Sequence, residues 1–349
     1  MFTRNRFADC MAFAAAMCRR VLAGALAVPG LQASAAHAQV VTEYGDGISA
    51  QAILYGIARG PDDNLWFAEA QPDGAIGRIT TEGIVTEYSA GLSEAGRPLK
   101  IVAGPDGNLW FTQQNPGAIG KITPQGDITE VASEIDTGIR PEGIAVGADG
   151  NLWFTEPVFG RIGRITTTGL LTEFSVGIST DAQPRDIAAG PDGNLWFTED
   201  NGNRIGRITL FGEVTEFSVG ISPGARPHGI TAGPDGNLWF TELFGNRIGR
   251  ITPAGAITQF SAGITALARP TFITTGADGN LWFTETFADR IGRITPLGVV
   301  TEFADGITQG AEPLDIVAGA DGNLWFTENG RRQIGRISTG DRIFANGFD

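Results

Sequence analysis

Cysteine is confined to the start of this chain. The two cysteines, Cys10 and Cys18, both lie within the first 20 residues. A chain without cysteine has no disulfide, no thiolate metal site and no cysteine nucleophile. Beyond its first residues the protein must therefore be stabilised by packing alone.

Long apolar segments are also missing, and the one apolar run belongs to a targeting signal. Four arginines lie before a run of apolar residues at 21–31, which is too short to span a bilayer. Ala36-His37-Ala38 then forms a small-x-small cleavage signature. We expect residues 1–38 to be a signal peptide cleaved after Ala38, an uncleaved anchor being the alternative. The mature protein would be exported, periplasmic or secreted, with no membrane span. The arginines are Arg4, Arg6, Arg19 and Arg20.

Positive charge is scarce in the remainder. The net charge of −14 becomes −17 once a leader with a net charge of +3 is removed. Such an acidic protein is a poor partner for nucleic acid or an anionic membrane. We therefore expect neither partner, and we expect a monomer.

No segment shows a helical period of useful length, and the chain has a repeat instead. Its seven tryptophans are 44 residues apart once and 43 residues apart five times. Each stands in a version of the phrase G-P-D-G-N-L-W-F-T-E, written most fully at 233–242. A strict period with one large aromatic residue per unit indicates one supersecondary unit copied seven times. The tryptophans are Trp66, Trp110, Trp153, Trp196, Trp239, Trp282 and Trp325.

One repeat contains four short strands. In the fifth repeat they are predicted at 229–232, 238–242, 247–252 and 256–260, with turn residues between them. The sequence therefore predicts an all-β fold, a seven-bladed β-propeller over residues 39–340 with four antiparallel strands per blade. Residues 341–349 lie outside the repeat and are taken as a C-terminal tail.

The fourth-strand phrase is missing after the last tryptophan and present before the first. Residues 40–44 have this phrase, so we expect the N-terminal strand to close the last blade, next to Arg336 and Ile337. Closure removes exposed sheet edges. Each tryptophan should then fill a seam between blades. A cross-strand ion pair between Glu242 and Arg247 is expected to add roughly 0.2–1 kcal/mol.

The repeats differ most around the proline that opens each first strand. In a propeller the first strands line the central channel, so the residues beside these prolines should surround one mouth of it. Several charged residues would converge there, which is the usual pattern of a ligand site for a small or polymeric molecule. The alternative is that the arginines brace neighbouring loops. Lys100, Asp186 and Asp315 lie one step further in. The candidate ligand-binding residues are Tyr55, Arg97, Arg140, Glu142, Arg185, Arg226, His228, Arg269 and Glu312.

His228 is the candidate catalytic residue. It is the one histidine outside the leader, and it stands where the blades vary. An imidazole with a pKa near 6.5 can act as a proton shuttle.

The repeated phrases resemble those of the virginiamycin B lyase (streptogramin lyase) family over nearly all of residues 40–340. The resemblance implies a seven-bladed propeller that linearises cyclic streptogramin B antibiotics by elimination at an ester, with magnesium. It also implies a site made of a histidine in an Arg-Pro-His phrase and a Glu-Pro-His phrase in the following blade. The first phrase is present as Arg226-Pro227-His228, and the second reads Arg269-Pro270-Thr271.

These two replacements affect the implied chemistry. Arg269 cannot ligate a cation, and Thr271 cannot act as acid or base near neutral pH. The sequence therefore predicts ligand binding at the channel mouth without the family's full catalytic site, and it leaves the metal ligands unknown. One alternative is a magnesium-dependent carbon–oxygen lyase that uses His228 with Glu312 or Glu142. The other is a scaffold that binds protein partners.

Overall fold

The computed structural model describes residues 39–70, 74–132 and 140–340. These residues form seven antiparallel sheets of four strands each, and no helix occurs among them. No helix that could cross a bilayer is therefore found in the part of the chain that is described. The predicted signal peptide and C-terminal tail lie outside the described residues.

Each sheet is one blade. The first strand of every blade contacts the first strands of the blades on both sides, and β2 contacts β26, so the seven blades close into a ring around these strands. The predicted seven-bladed propeller is confirmed. Its predicted strand bounds in the fifth repeat differ from the observed ones by no more than two residues.

Every blade has a first, second, third and fourth strand, counted from the channel outward. The first strands of blades 1 to 7 are β2 (Leu54–Arg59), β6 (Pro98–Ala103), β10 (Ile144–Val146), β14 (Pro184–Ala189), β18 (Pro227–Ala232), β22 (Pro270–Thr275) and β26 (Pro313–Ala318). The second are β3 (Leu65–Glu69), β7 (Leu109–Gln114), β11 (Leu152–Glu156), β15 (Leu195–Glu199), β19 (Leu238–Glu242), β23 (Leu281–Glu285) and β27 (Leu324–Glu328). The third are β4 (Ala75–Ile79), β8 (Gly117–Ile122), β12 (Arg161–Ile165), β16 (Arg204–Ile208), β20 (Arg247–Ile251), β24 (Arg290–Ile294) and β28 (Gln333–Ile337). The fourth are β5 (Val85–Tyr88), β9 (Ile128–Ala132), β13 (Leu171–Phe174), β17 (Val214–Phe217), β21 (Ile257–Phe260), β25 (Val300–Phe303) and, for blade 7, β1 (Val41–Tyr44).

The N-terminal strand closes the ring as predicted. β1 pairs antiparallel with β28, with Val41 opposite Ile337 and Thr42 opposite Arg336. Blade 7 is thus built from both ends of the repeat region, and none of its strands is left unpaired.

The tryptophans seal the seams between blades. All seven are fully buried, and each packs against the leucine and phenylalanine of the next blade, as Trp239 does against Leu281 and Phe283. Its indole N–H donates to the carboxylate of Asp235 at 3.0 Å, so the buried polar atom is satisfied. The predicted role of the tryptophans is confirmed.

The predicted ion pair between Glu242 and Arg247 is wrong for blade 5. The two residues are opposite each other in the ladder, but the Glu242 carboxylate accepts a hydrogen bond from Gln259 Nε2 at 2.5 Å. Gln259 occupies the fourth-strand position where other blades carry glutamate, so an amide supplies the donor that arginine was expected to give. The ion pair does form in two other blades. These pairs are Glu156–Arg161 at 3.3 Å and Glu199–Arg204 at 2.8 Å.

Candidate functional site

The first strands leave a cavity of about 240 Å³ at the end of the channel where they begin. Most of the lining comes from the opening residues of these strands, and Gln114 comes from the end of a second strand. The cavity therefore lies at the channel mouth. Its lining residues are Tyr55, Gly56, Leu99, Lys100, Gln114, Glu142, Gly143, Arg185, Asp186, His228, Phe272 and Leu314.

In blades 2, 4, 5, 6 and 7 a bulge follows the proline that opens the first strand. In blade 5 the ladder register shifts between Pro227 and Ile230, so His228 and Gly229 lie outside the regular pairing. The bulge is held by the second-strand threonine: Gly229 N–H donates to Thr241 Oγ1 at 2.9 Å. The same phrase that builds the blade therefore also positions the residue after the proline.

Glycines let the first strands approach closely at the axis. A Cβ built on Gly229 would lie 2.8 Å from Phe272 Cα and 2.8 Å from the Thr271 carbonyl oxygen. No larger residue fits there without moving the neighbouring backbone. The side chain of Phe272 therefore covers the space beside Gly229, and it becomes part of the cavity wall.

Four of the nine predicted ligand-binding residues line the cavity and five do not. All of the outlying five precede the prolines of their blades, and three of them adopt positive φ: Arg226 at 55°, Arg269 at 54° and Glu312 at 51°. The five side chains lie outside the cavity, at the rim of the channel mouth. The residues that line the cavity are Tyr55, Glu142, Arg185 and His228. Those that do not are Arg97, Arg140, Arg226, Arg269 and Glu312.

Phe272 and Gln114 are among the lining residues that were not predicted from the sequence. Phe272 occupies the same repeat position as Lys100, Asp186 and Asp315, but unlike them it carries no charge. Gln114 ends a second strand, and its one signal is that it follows Gln113, which replaces the glutamate of the T-E phrase. Apolar and amide side chains carry no chemical signature, so only the geometry identifies them.

His228 is held as a neutral imidazole. Its ring is half-buried, packs edge-on against Phe272 at 5.1 Å, and keeps a buried Nδ1 that has no hydrogen-bond partner among the described residues. Burial lowers the pKa of His228 to about 4, and the positive charges of Arg185, Lys100 and Arg226 act in the same direction. The ring can accept a proton or hydrogen bond at neutral pH, but it is a weak base there.

A chain of polar contacts links Glu142 to the rim. Gln114 Nε2 donates to Glu142 Oε1 at 3.2 Å, and Arg185 Nη1 donates to Glu142 Oε2 at 2.6 Å. Arg185 Nε also donates to Asp200 Oδ2 at 3.3 Å, and Asp200 binds both Nε and Nη2 of Arg226. Burial raises the pKa of Glu142, and Arg185 opposes this. The carboxylates and guanidinium groups on this side largely neutralise each other.

Lys100 contacts residues of two other blades across the channel. Its Nζ lies 2.8 Å from Asp315 Oδ1 and 3.6 Å from the centroid of the Phe272 ring. Asp315 Oδ2 also accepts the backbone N–H of Ile57 at 3.0 Å. Burial raises the pKa of Asp186 nearby, and Lys100 opposes this. The ammonium group thus balances two acids that face the channel.

The residues at this mouth do not fit magnesium. Mg²⁺ needs near-octahedral oxygen ligands, usually one or two carboxylates with water. Glu142 is bound by Arg185, and Lys100 contacts Asp315 and attracts Asp186. Among the residues that the structure describes, no group of three or more His, Cys, Asp or Glu could hold a metal ion.

Fold and site together define a seven-bladed propeller with a polar cavity at one channel mouth, and the comparisons assign its family. The model of the Virginiamycin B lyase family matches residues 41–267 and 262–346, so the chain belongs to that family. None of the curated proteins compared with the chain matches it.

Solved structures of this family resemble the chain closely. It is 37% identical to selenomethionine-substituted virginiamycin B lyase from Staphylococcus aureus, with a TM-score of 0.79, over 86% of this chain and 99% of that one. It is 34% identical to a streptogramin B lyase, with a TM-score of 0.77, over 86% and 97% of the two chains. A catalytically inactive variant of the Staphylococcus aureus lyase with quinupristin is 37% identical, with a TM-score of 0.78, over 86% and 99%.

Proposed function

We propose that this protein is an exported propeller of the virginiamycin B lyase family that binds a ligand at its channel mouth without the family's full catalytic site. The observation that supports it is the convergence on one cavity of residues that differ between blades. Tyr55, Glu142, Arg185 and His228 line this cavity with Phe272, giving a polar side and an apolar side. This combination is typical of small-molecule sites.

The residues that replace the second catalytic phrase are committed to other contacts. The Thr271 hydroxyl donates to the Arg269 carbonyl oxygen at 3.0 Å and lies 2.6 Å from Thr286 Oγ1, and Thr271 is buried. The Arg269 guanidinium stacks on Phe244 and Phe287. Neither side chain offers the base, acid or metal ligand that an elimination requires.

A thermal-shift screen of the mature protein tests the proposed ligand binding, and the compounds that bind are then measured by calorimetric titration. We expect His228→Ala to weaken a bound compound at least tenfold. Phe211→Ala, in the exposed turn between the third and fourth strands of blade 4, is the control and should leave binding unchanged. Equal affinity of the wild-type protein and His228→Ala for the compound would show that the compound does not bind at this mouth.

Carbon–oxygen lyase activity is the second candidate function, because Arg226-Pro227-His228 retains one phrase of the family site. Incubation with quinupristin, with and without magnesium, tests it. We expect no linearisation by the wild-type protein, and a measurable gain in the double variant Arg269→Glu, Thr271→His. Magnesium-dependent linearisation by the wild-type protein would replace the first proposal with this one.

The proposal that the protein is exported rests on the arginines, the apolar run and the cleavage signature within residues 1–38. Expression of the full chain in a bacterium that secretes proteins should release a product whose N-terminal residue is Gln39. A retained product that begins at Met1 would contradict the proposed localisation.

A further inference from the structure

Two arginines on the rim occupy the same repeat position but differ in their surroundings. Arg226 and Arg269 each precede the proline of their blade, each has positive φ, and each donates its backbone N–H to an asparagine side chain at 3.0 and 2.9 Å respectively. Arg226 binds Asp200, which follows the second strand of the preceding blade. The corresponding residue beside Arg269 is Leu243. The acid that neutralises one arginine is thus replaced by an apolar residue at the other.

The Arg269 guanidinium lies over two aromatic rings. Its Cζ lies 4.9 Å from the centroid of Phe244 and 4.4 Å from the centroid of Phe287. Such stacking fixes the plane of the group and leaves its N–H edge available. Within residues 39–70, 74–132 and 140–340, no carboxylate lies within ion-pair distance of Arg269, and its guanidinium donates no hydrogen bond.

The surroundings of this arginine are apolar and exposed. Phe244 is 51% exposed, Phe287 is 66% exposed, and Leu267, two residues before Arg269, is 76% exposed. Phe272 lies three residues after Arg269 and lines the cavity. Since a strand advances about 3.3 Å per residue, the two Cα atoms are no more than about 10 Å apart. A small ligand can therefore reach both the rim and the cavity.

We propose that Arg269 is the receptor for the carboxylate of a small organic acid whose apolar body lies against Phe287, Leu267 and the cavity wall. A guanidinium with a fixed plane presents two parallel N–H donors, which match the two oxygens of a carboxylate. This inference rests on the proposed function, and it adds the charge and character of the ligand.

The test compares indole-3-acetate with the neutral indole-3-acetamide, which has nearly the same shape, by calorimetric titration of the mature protein at low salt. We expect the acid to bind about tenfold more tightly, since a hydrogen-bonded charge is typically worth about 1.5–3 kcal/mol and tenfold corresponds to about 1.4 kcal/mol. Arg269→Gln should abolish this difference. Leu243→Asp should abolish it too, because it gives Arg269 the acid that Arg226 already has.

Arg97→Gln is the matched control, since Arg97 stands at the same repeat position and has no stacked ring among the described residues. It should keep the preference for the acid. Equal binding of both probes, failure of both to bind, or a preference that survives in Arg269→Gln and Leu243→Asp would overturn the proposal. Failure of the proposed function is distinguishable, because His228→Ala should weaken the acid and the amide alike, whereas Arg269→Gln should weaken only the acid.

Discussion

The buried glutamate at the end of β3 should make the protein less stable as the pH rises. Glu69 is 1% exposed and shares its site with Glu87 of β5. Glu87 accepts the backbone N–H and the hydroxyl of Ser49 at 2.6 and 2.7 Å. Opposite Glu69 lies Ala75, so blade 1 lacks the arginine that blades 3 to 6 have there. Glu69 must therefore hold a proton to remain beside Glu87.

The size of this loss of stability follows from the pKa of Glu69. Burial, and then the charge of Glu87, raise the pKa of Glu69 to about 8 from its ordinary value of 4.5. The folded state binds the proton more tightly than the unfolded chain, so this stabilisation is complete below pH 4.5 and is lost as the pH rises to about 8. Because one pH unit corresponds to about 1.4 kcal/mol, the loss is on the order of 4–5 kcal/mol.

Glu69→Gln removes the need for the proton, because the amide donates to Glu87 at any pH. Blade 2 already has this arrangement: Gln113 Nε2 donates to Glu130 Oε1 at 3.0 Å, and Ala118 lies opposite Gln113. At about 2 °C per kcal/mol, the melting temperature of the variant should exceed that of the wild-type protein by roughly 8 °C at about pH 8.5. At about pH 5 the two should nearly coincide.

The assay is thermal unfolding followed by tryptophan fluorescence at about pH 5, 7 and 8.5. Gln113→Glu builds the blade 1 arrangement in blade 2, and it should lower the melting temperature increasingly as the pH rises. The two variants thus have opposite signs at one repeat position. A gain for Glu69→Gln that is equal at the lowest and highest pH, or no gain at the highest pH, would refute the reasoning.

Three other experiments test the burial of Trp239 between blades, the ion pair between Lys100 and Asp315, and the pKa of His228. Trp239→Ala should cost about 3–5 kcal/mol in denaturant unfolding, because the indole is fully buried between blades; a cost below about 1 kcal/mol would argue against the seam role. Lys100→Met should lose about 3–5 kcal/mol by leaving Asp315 unpaired, and adding Asp315→Asn should recover part of it; no recovery would show that the pair is not the cause. NMR titration of His228 should give a pKa of about 4. The stability that its neutral ring contributes above pH 6.5 is then lost as the pH falls through 4. A pKa near its ordinary value of 6.5 would contradict its burial.

Much of the candidate site could be located from the sequence because the constant repeat length aligns equivalent residues of the blades. Counting back from each tryptophan identifies the residue after every proline, and four of the residues predicted in this way line the cavity. The same count could not show that Arg226 and Arg269 leave the cavity. Their orientation depends on positive φ and on partners in the adjacent blade, Asp200 and Phe244. These contacts join loops from different repeats, which no local pattern describes.

The sequence by itself determined the number of blades, the order of the strands and the closure by residues 41–44, since each follows from the period and from the count of strand phrases along the chain. Only the tertiary structure decided what meets at the axis. Lys100 and Asp315 belong to blades 2 and 7, and their ion pair forms because the ring brings the first strands of all blades together. Contacts between adjacent blades also place Arg226 beside Asp200 and Arg269 over the rings of Phe244 and Phe287, although both arginines occupy one position in the repeat.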